Sequence, residues 1–271
     1  MLLTCEELNL MTEYLNSNNK ITIQDNGSTE EFNYDNPVLI VIDPILSQCR
    51  RYNVIKKNNL DYFRDNYSDS INTLQKIVDI YEQEGYEGLI PIIKYSAEIR
   101  ITTIYQTCKA FINYRNTHGF KNDLEAMKDW AIHAEQGDSI NSVKGIGIAT
   151  FQYLQMLLGV DTVKPDVHII NFFEEQIGKR FNKNKTILAF TELANHMGVK
   201  LVDLDYAIWL YKSQYGKTYN NVSKLKLLIN DLNQRELKEV KKYIDSKLET
   251  IWFRDRKSGS SSNRVGGVKF G

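Results

Sequence analysis

Cysteine is scarce in this chain, with 3 in 271 residues. Cys5, Cys49 and Cys108 are an odd count at wide spacing with no Cys-x-x-Cys pair, so neither a disulfide framework nor a structural zinc site is expected. Long hydrophobic runs are absent. No stretch approaches the roughly 20 apolar residues that span a bilayer, and the opening Met-Leu-Leu-Thr-Cys-Glu-Glu has no basic region or cleavage site of a secretory leader. A cytoplasmic protein without membrane contact is the expectation. Net charge is lacking too, since 34 Lys and Arg balance 34 Asp and Glu. That removes a global attraction to polyanions, but recognition depends on how charge is distributed. Basic residues do gather, at Arg50, Arg51, Lys56 and Lys57, at Lys179, Arg180, Lys183 and Lys185, and in the five cations from Arg254 to Gly271. Acids gather elsewhere, at Asp123, Glu125, Asp129, Glu135 and Asp138. Each cluster reads equally well as a solvated helix end or loop.

What is present is helical patterning. A hydrophobic share of 42% and a charged share of 25% are those of an ordinary globular protein, long enough for one large domain or two closely packed lobes. Thr4-Cys5-Glu6-Glu7 is a capping-box pattern opening a helix to about Asn16. An Asn- and Asp-rich stretch from Ser17 to Asn36 follows, a loop or short hairpin with Ile21-Thr22-Ile23 as its strand-like piece. Pro37 to Cys49 reads as a strongly apolar helix, although its Val, Ile and Pro44 leave a strand or a kink open. Further helices are expected near 68–84, 86–93, 97–115, 121–135, 165–177, 186–197, 201–214, 222–231 and 233–252. The fold class is all-α. The last fourteen residues hold eight Ser or Gly, too few apolar groups to offset ordering, so 258–271 is expected to be a flexible basic tail.

Residues 143–168 carry the most chemistry. Gly145-Ile146-Gly147 opens an apolar helix at 148–158, Gly159 can end it, and Pro165 starts another with Asp166 in its first turn. The glycines permit positive φ and close approach of backbone to a phosphate, and the amides after them open a helix N-terminus that favours anions. Nineteen positions separate Gly147 from Asp166, so two helices and a loop can return the carboxylate towards the glycine turn. Taken alone, a Gly-x-Gly is more often a plain helix corner, and an Asp after Pro is simply a good helix start.

The order of glycine turn, apolar helix and Asp166-Val167-His168 resembles the helix-hairpin-helix DNA glycosylases with a Gly/Pro-rich loop and aspartate (the HhH-GPD superfamily). The likeness runs over about Pro37 to Gly216. The family pattern is Leu-Pro-Gly-Val-Gly-x-x-Thr-Ala, an apolar helix, then Val-Asp-x-His, and Lys144 here replaces its proline. The resemblance implies two helical lobes around a DNA cleft, with a hairpin at 143–151 and a catalytic loop at 160–168. It implies phosphate contacts through Lys144, Gly145, Gly147, Ala149 and Thr150, where a monovalent cation often bridges the hairpin backbone (143–147 here) to the phosphate. Asp166 is then the catalytic residue, stabilising positive charge at the sugar C1′ and orienting water. His168 contacts phosphate or braces the site, with a buried, hydrogen-bonded histidine nearly as good a reading. Gln48, and less strongly Ser47, resemble the polar pair that probes the gap left by a flipped nucleotide. Tyr95 stands where members present a wedge, although core or surface packing is the commoner role of a tyrosine. Trp209 and Tyr211, in a segment similar to the family's final domain helix, are expected in the core.

Bifunctional members carry a nucleophilic lysine four positions after the first hairpin glycine. That position is Ala149, which has no amine. No cysteine follows Asp166, so no iron–sulfur cluster is expected. The expectation is a monofunctional N-glycosylase, acting on DNA as a monomer, that releases a damaged or modified base (a modified base of viral DNA included) and leaves an abasic site. Residues 1–36 would be an N-terminal extension, 37–216 the glycosylase-like core and 217–257 extra C-terminal helices. A non-catalytic hairpin module that only binds DNA and a helical protein scaffold remain as rival readings.

Overall fold

The computed structural model describes residues 1–23, 34–48, 52–214 and 237–245. Every regular element among them is helical, and no helix there is long and apolar enough to cross a membrane. The chain divides into two compact units, Met1–Lys217 and Thr218–Gly271. The second contributes one described helix, 237–245, with a surface Lys241–Asp245 ion pair at 3.1 Å. The expected tail at 258–271, the helix near 222–231, Cys49 and the Arg50-Arg51 pair lie outside the described residues.

The first unit runs through α1 (Cys5–Ser17), α2 (Pro37–Leu46), α3 (Tyr52–Ile55), a π-helical turn (Lys56–Leu60), α4 (Asp61–Tyr67), α5 (Leu74–Ile93), α6 (Glu98–His118), α7 (Asp123–His133), α8 (Ile148–Leu157), α9 (Val167–Ile177) and α10 (Lys183–Met197), closing with α11 over 201–214. Caps set many boundaries. The Thr4 hydroxyl accepts from the Glu7 amide while the Glu7 carboxylate accepts from the Thr4 amide, the reciprocal box expected there. Asn36, Asn122 and Asn182 cap α2, α7 and α10 through their side-chain oxygens. Gly85 has φ +71 and breaks α5 into two helical pieces, at the place where separate helices at 68–84 and 86–93 are expected. The Ile21–Ile23 segment forms no strand, because Ile21 turns inward against apolar side chains instead.

Two apolar clusters hold the unit together. The first is drawn from residues 34–158 and centres on α2, whose ten residues are all buried. A helix apolar on every face belongs at the centre of a core, and α2 packs against both α6 and α8. Each fully buried Ile or Leu along it contributes about 1.5–3 kcal/mol relative to exposure. Pro44 lies inside the helix, so the strand alternative does not arise. The second cluster joins Leu3, Leu8, Met11 and Leu15 of the first residues to Phe172, Phe173, Phe190 and Ile208. The first helix is therefore part of that cluster, packed on α9 and α10. Residues 159–166 pass from one cluster to the other.

Candidate functional site

Gly147, in extended conformation at φ −94, is the N-cap of α8, and no side chain caps the helix there. Its first amides are left for an external acceptor. Gly145 has φ +102, and a Cβ at that position would lie 2.7 Å from the Thr103 Oγ1, so glycine is required both by conformation and by space. Two distant helices hold the turn. The Gln48 side-chain amide donates to the Gly145 carbonyl oxygen at 3.0 Å, and the Thr103 hydroxyl donates to the Lys144 carbonyl oxygen at 3.1 Å. The Arg100 guanidinium in turn donates to the Gln48 Oε1.

The expected site residues are distributed as follows in the fold. Gln48 braces the glycine turn through the Gly145 carbonyl oxygen. Ser47 is buried and directs its hydroxyl to the Asp43 carboxylate at 2.8 Å, because it closes the last turn of α2. Thr150 is buried in the body of α8 at 5% exposure, so its side chain is not on the hairpin surface. Lys144, Gly145 and Gly147 are exposed and Ala149 is half-buried. Tyr95 lies in the α5–α6 link, half-buried and packed on the first cluster. Of the second basic run, Lys179 is engaged with Glu7 at 2.7 Å and Arg180 with Glu174 at 2.5 Å.

Asp166 is the N-cap of α9, one residue earlier than a first-turn position, because Pro165 stays outside the helix. Its Oδ1 accepts from the His168 amide at 2.8 Å and the Ile169 amide at 3.3 Å. Among the described residues, its Oδ2 accepts no hydrogen bond. The segment leading to it rests along α8: Thr162 donates its hydroxyl to Gln152, and the Lys164 ammonium lies 4.1 Å from the Tyr153 ring centroid. The half-buried His168 ring has its pKa lowered, first by burial and then by the Lys212 and Lys164 charges, against the pull of Asp166 and Glu175. Lys212 and Glu175 form a buried ion pair behind it.

Two carboxylates of this neighbourhood are invisible to motif reading. Asp205 on α11 is 6% exposed, and its Oδ1 is a buried acceptor without a hydrogen bond. Its pKa is raised well above the ordinary value by burial and then by the Asp166 charge, with the Lys164 ammonium and amide offsetting part. Asp43 on α2 is fully buried. Its Oδ2 accepts from the hydroxyls of Tyr34 at 2.9 Å, Tyr153 at 3.0 Å and Tyr52 at 3.3 Å. The Tyr52 ring meets Trp209 edge to face at 5.4 Å between centroids. Trp209 is therefore half-buried beside these groups, while Tyr211 is core as expected. Among the described residues no cluster of three or more His, Cys, Asp or Glu side chains is arranged to hold a metal ion.

A family model described as a domain of unknown function (DUF8548) matches residues 20–213. The chain belongs to that family. No curated protein and no solved structure matches it. The matched DUF8548 span takes in the glycine turn, Asp43, Lys164, Asp166 and Asp205. The first helix falls outside it, although that helix completes the second apolar cluster.

Proposed function

We propose that this protein is a monofunctional DNA N-glycosylase of helix-hairpin-helix type, with two helical lobes that flank a DNA cleft. The carrying observation is α8 itself. Its uncapped N-terminus carries the Gly145–Gly147 turn, and the segment ending in Asp166 is fastened along its side through Gln152 and Tyr153. A phosphate at the helix N-terminus would fix the DNA register without reading sequence. Asp166, with one oxygen committed to α9 and the other unbonded among the described residues, would then face the sugar whose C1′–N bond breaks. Ala149 on the hairpin helix offers no amine, so water is the nucleophile and the product is an abasic site. Lys144 adds an exposed cation beside the turn. DNA is the partner and the monomer the acting species.

The binding-module reading is favoured by one observation, that Asp166 is already fully explained as a helix cap. A single experiment separates the two. Purified wild-type protein and Asp166→Asn are incubated with duplex and single-stranded DNAs carrying oxidised, alkylated, deaminated and modified bases. Base release is read by mass spectrometry, and strand integrity by gel before and after alkali. Release by the wild type alone, with cleavage only after alkali, is the expected result. Equal, salt-sensitive binding by both proteins with no release would sink the catalytic reading.

A further inference from the structure

We infer that a groove beside Lys94 is a second backbone-phosphate site, which holds the DNA strand within several nucleotides of the glycine turn. The inference rests on the DNA-binding part of the reading above and is independent of base release.

The groove has a volume of about 310 Å³ and lies where Lys94 meets one face of the helical run from Tyr52 to Tyr67. Lys57, Asn58 and Lys94 line it as exposed side chains, with the half-buried Tyr62 among them. Its two acids are Asp61, already paired with Arg64 at 2.8 Å, and Asp65. Among the described residues neither Lys57 nor Lys94 is held in an ion pair. Two ammonium groups therefore meet at an opening without an anion of the chain to hold them.

Lys94 is kept there at a conformational cost. It ends α5 at φ +54, and among the described residues no other non-glycine residue has a positive φ. Glycine or asparagine is usual at such a helix end, and a longer side chain is strained. The brace comes from the π-helical turn. Within that turn Asn59 is 4% exposed, and its side-chain amide donates to the Ile93 and Lys94 carbonyl oxygens at 3.0 and 2.9 Å. The Lys94 ammonium then lies over the Tyr62 ring, 3.8 Å from its centroid. Both π turns within helices and strained backbone gather at functional sites. Here they give a cation that is ordered before a ligand arrives, which lowers the entropy lost on binding. A phosphate suits it, because the groove offers two ammonium groups and the Asn58 amide as donors.

The groove shares a corner with the glycine turn. Lys94 begins the link to α6. Five residues on, the Ile99 carbonyl oxygen shares the Thr103 hydroxyl with the Lys144 carbonyl oxygen, at 2.8 and 3.1 Å. Five residues of chain span at most about 17 Å, and a DNA strand carries a phosphate roughly every 3.4 Å along the duplex axis. A strand whose phosphate sits at the α8 N-terminus is thus within reach of the groove.

The test measures affinity for a fluorescein-labelled duplex by anisotropy across a salt series. The proteins are wild type, Lys57→Ala, Lys94→Gly, Lys94→Arg and Lys76→Ala. Glycine keeps the left-handed turn, so Lys94→Gly is expected to melt near the wild-type temperature. Lys57→Ala and Lys94→Gly are each expected to lower the slope of log affinity against log salt by about one. At about 0.1 M salt that is an affinity loss of about eightfold. Lys94→Arg is expected to keep the wild-type slope, as is Lys76→Ala, the control at the other end of α5. Wild-type slopes in both Lys57→Ala and Lys94→Gly overturn the proposal while leaving binding at the glycine turn intact. A loss in Lys76→Ala equal to that in Lys94→Gly overturns it too, because any surface lysine then serves. Weak wild-type binding that ignores salt defeats the DNA reading itself, and this inference falls with it.

Discussion

The side-chain amide of Gln48 donates to the carbonyl oxygen of Gly145 at 3.0 Å, joining residues 97 positions apart. The glycine turn is therefore fixed by the end of α2 rather than by its own short-range geometry.

Removing that support should loosen the hairpin without altering what it reads. For Gln48→Ala we expect DNA binding to weaken about fivefold, the order of one lost hydrogen bond of ~1 kcal/mol, equally across sequences. Fluorescence anisotropy with several unrelated duplexes at fixed salt checks this. A loss confined to one sequence would mean that Gln48 reads a base after all.

Asp166 caps α9, and substitutions can separate that duty from the chemistry proposed for it. Asparagine preserves the capping oxygen, so Asp166→Asn should melt near the wild-type temperature while losing base release. Asp166→Ala should lose both, with a stability cost of about 1 kcal/mol for the missing cap. Thermal melts beside the release assay decide the matter. Full release by Asp166→Asn would reduce the residue to a cap.

Asp205 makes stability depend on pH. Its folded pKa is raised above the unfolded value by burial and then by the Asp166 charge. The folded state then binds the proton more tightly, so its contribution is complete below the ordinary carboxylate pKa and is lost as pH rises through the folded value. Asp205→Asn, a neutral mimic, should flatten the decline of stability above about pH 4 that this group causes. Urea titrations from pH 4 to 8 measure it. An unchanged slope in the variant would show that Asp205 is ionised throughout.

Lys212 and Glu175 are 5% and 6% exposed and face one another. Truncating one partner strands the other charge in a low-dielectric interior. Lys212→Met should cost about 3–5 kcal/mol, and the double variant with Glu175→Leu should recover most of it. Equilibrium denaturation of the three variants provides the cycle. Additive losses would show that the pair is not coupled.

Much of the helical layout was legible because it depends on neighbours in sequence. The Thr4–Glu7 box, the break at Gly85 and the glycine turn each follow from residue types a few positions apart. The helical stretch from Tyr52 to Tyr67 was not, since its apolar pattern is weak and includes a π turn at Lys56–Leu60. The site was legible only in outline. Asp166 stands out by its place after Pro165, but Asp43 looks like one polar residue in an apolar helix, and Asp205 like a helix-face acid. Their significance comes from partners such as Tyr153, 110 positions from Asp43. Gln48 and Ser47 were visible as a polar pair, yet only packing shows that one serves the hairpin and the other Asp43.

The two apolar clusters differ in how the chain reaches them, and that implies an order of assembly. The first is woven from one continuous stretch, 34–158, whereas the second needs residues 3–21 to wait for 163–211. Closing so large a loop is slow, because its entropy is lost before any contact is gained. The hairpin scaffold should be built during synthesis while the segment around Asp166 is still unanchored. Pulsed hydrogen exchange during refolding should accordingly protect amides of α2, α6 and α8 before those of α1 and α9. The Asp166 carboxylate would then find its place only after the glycine turn had formed.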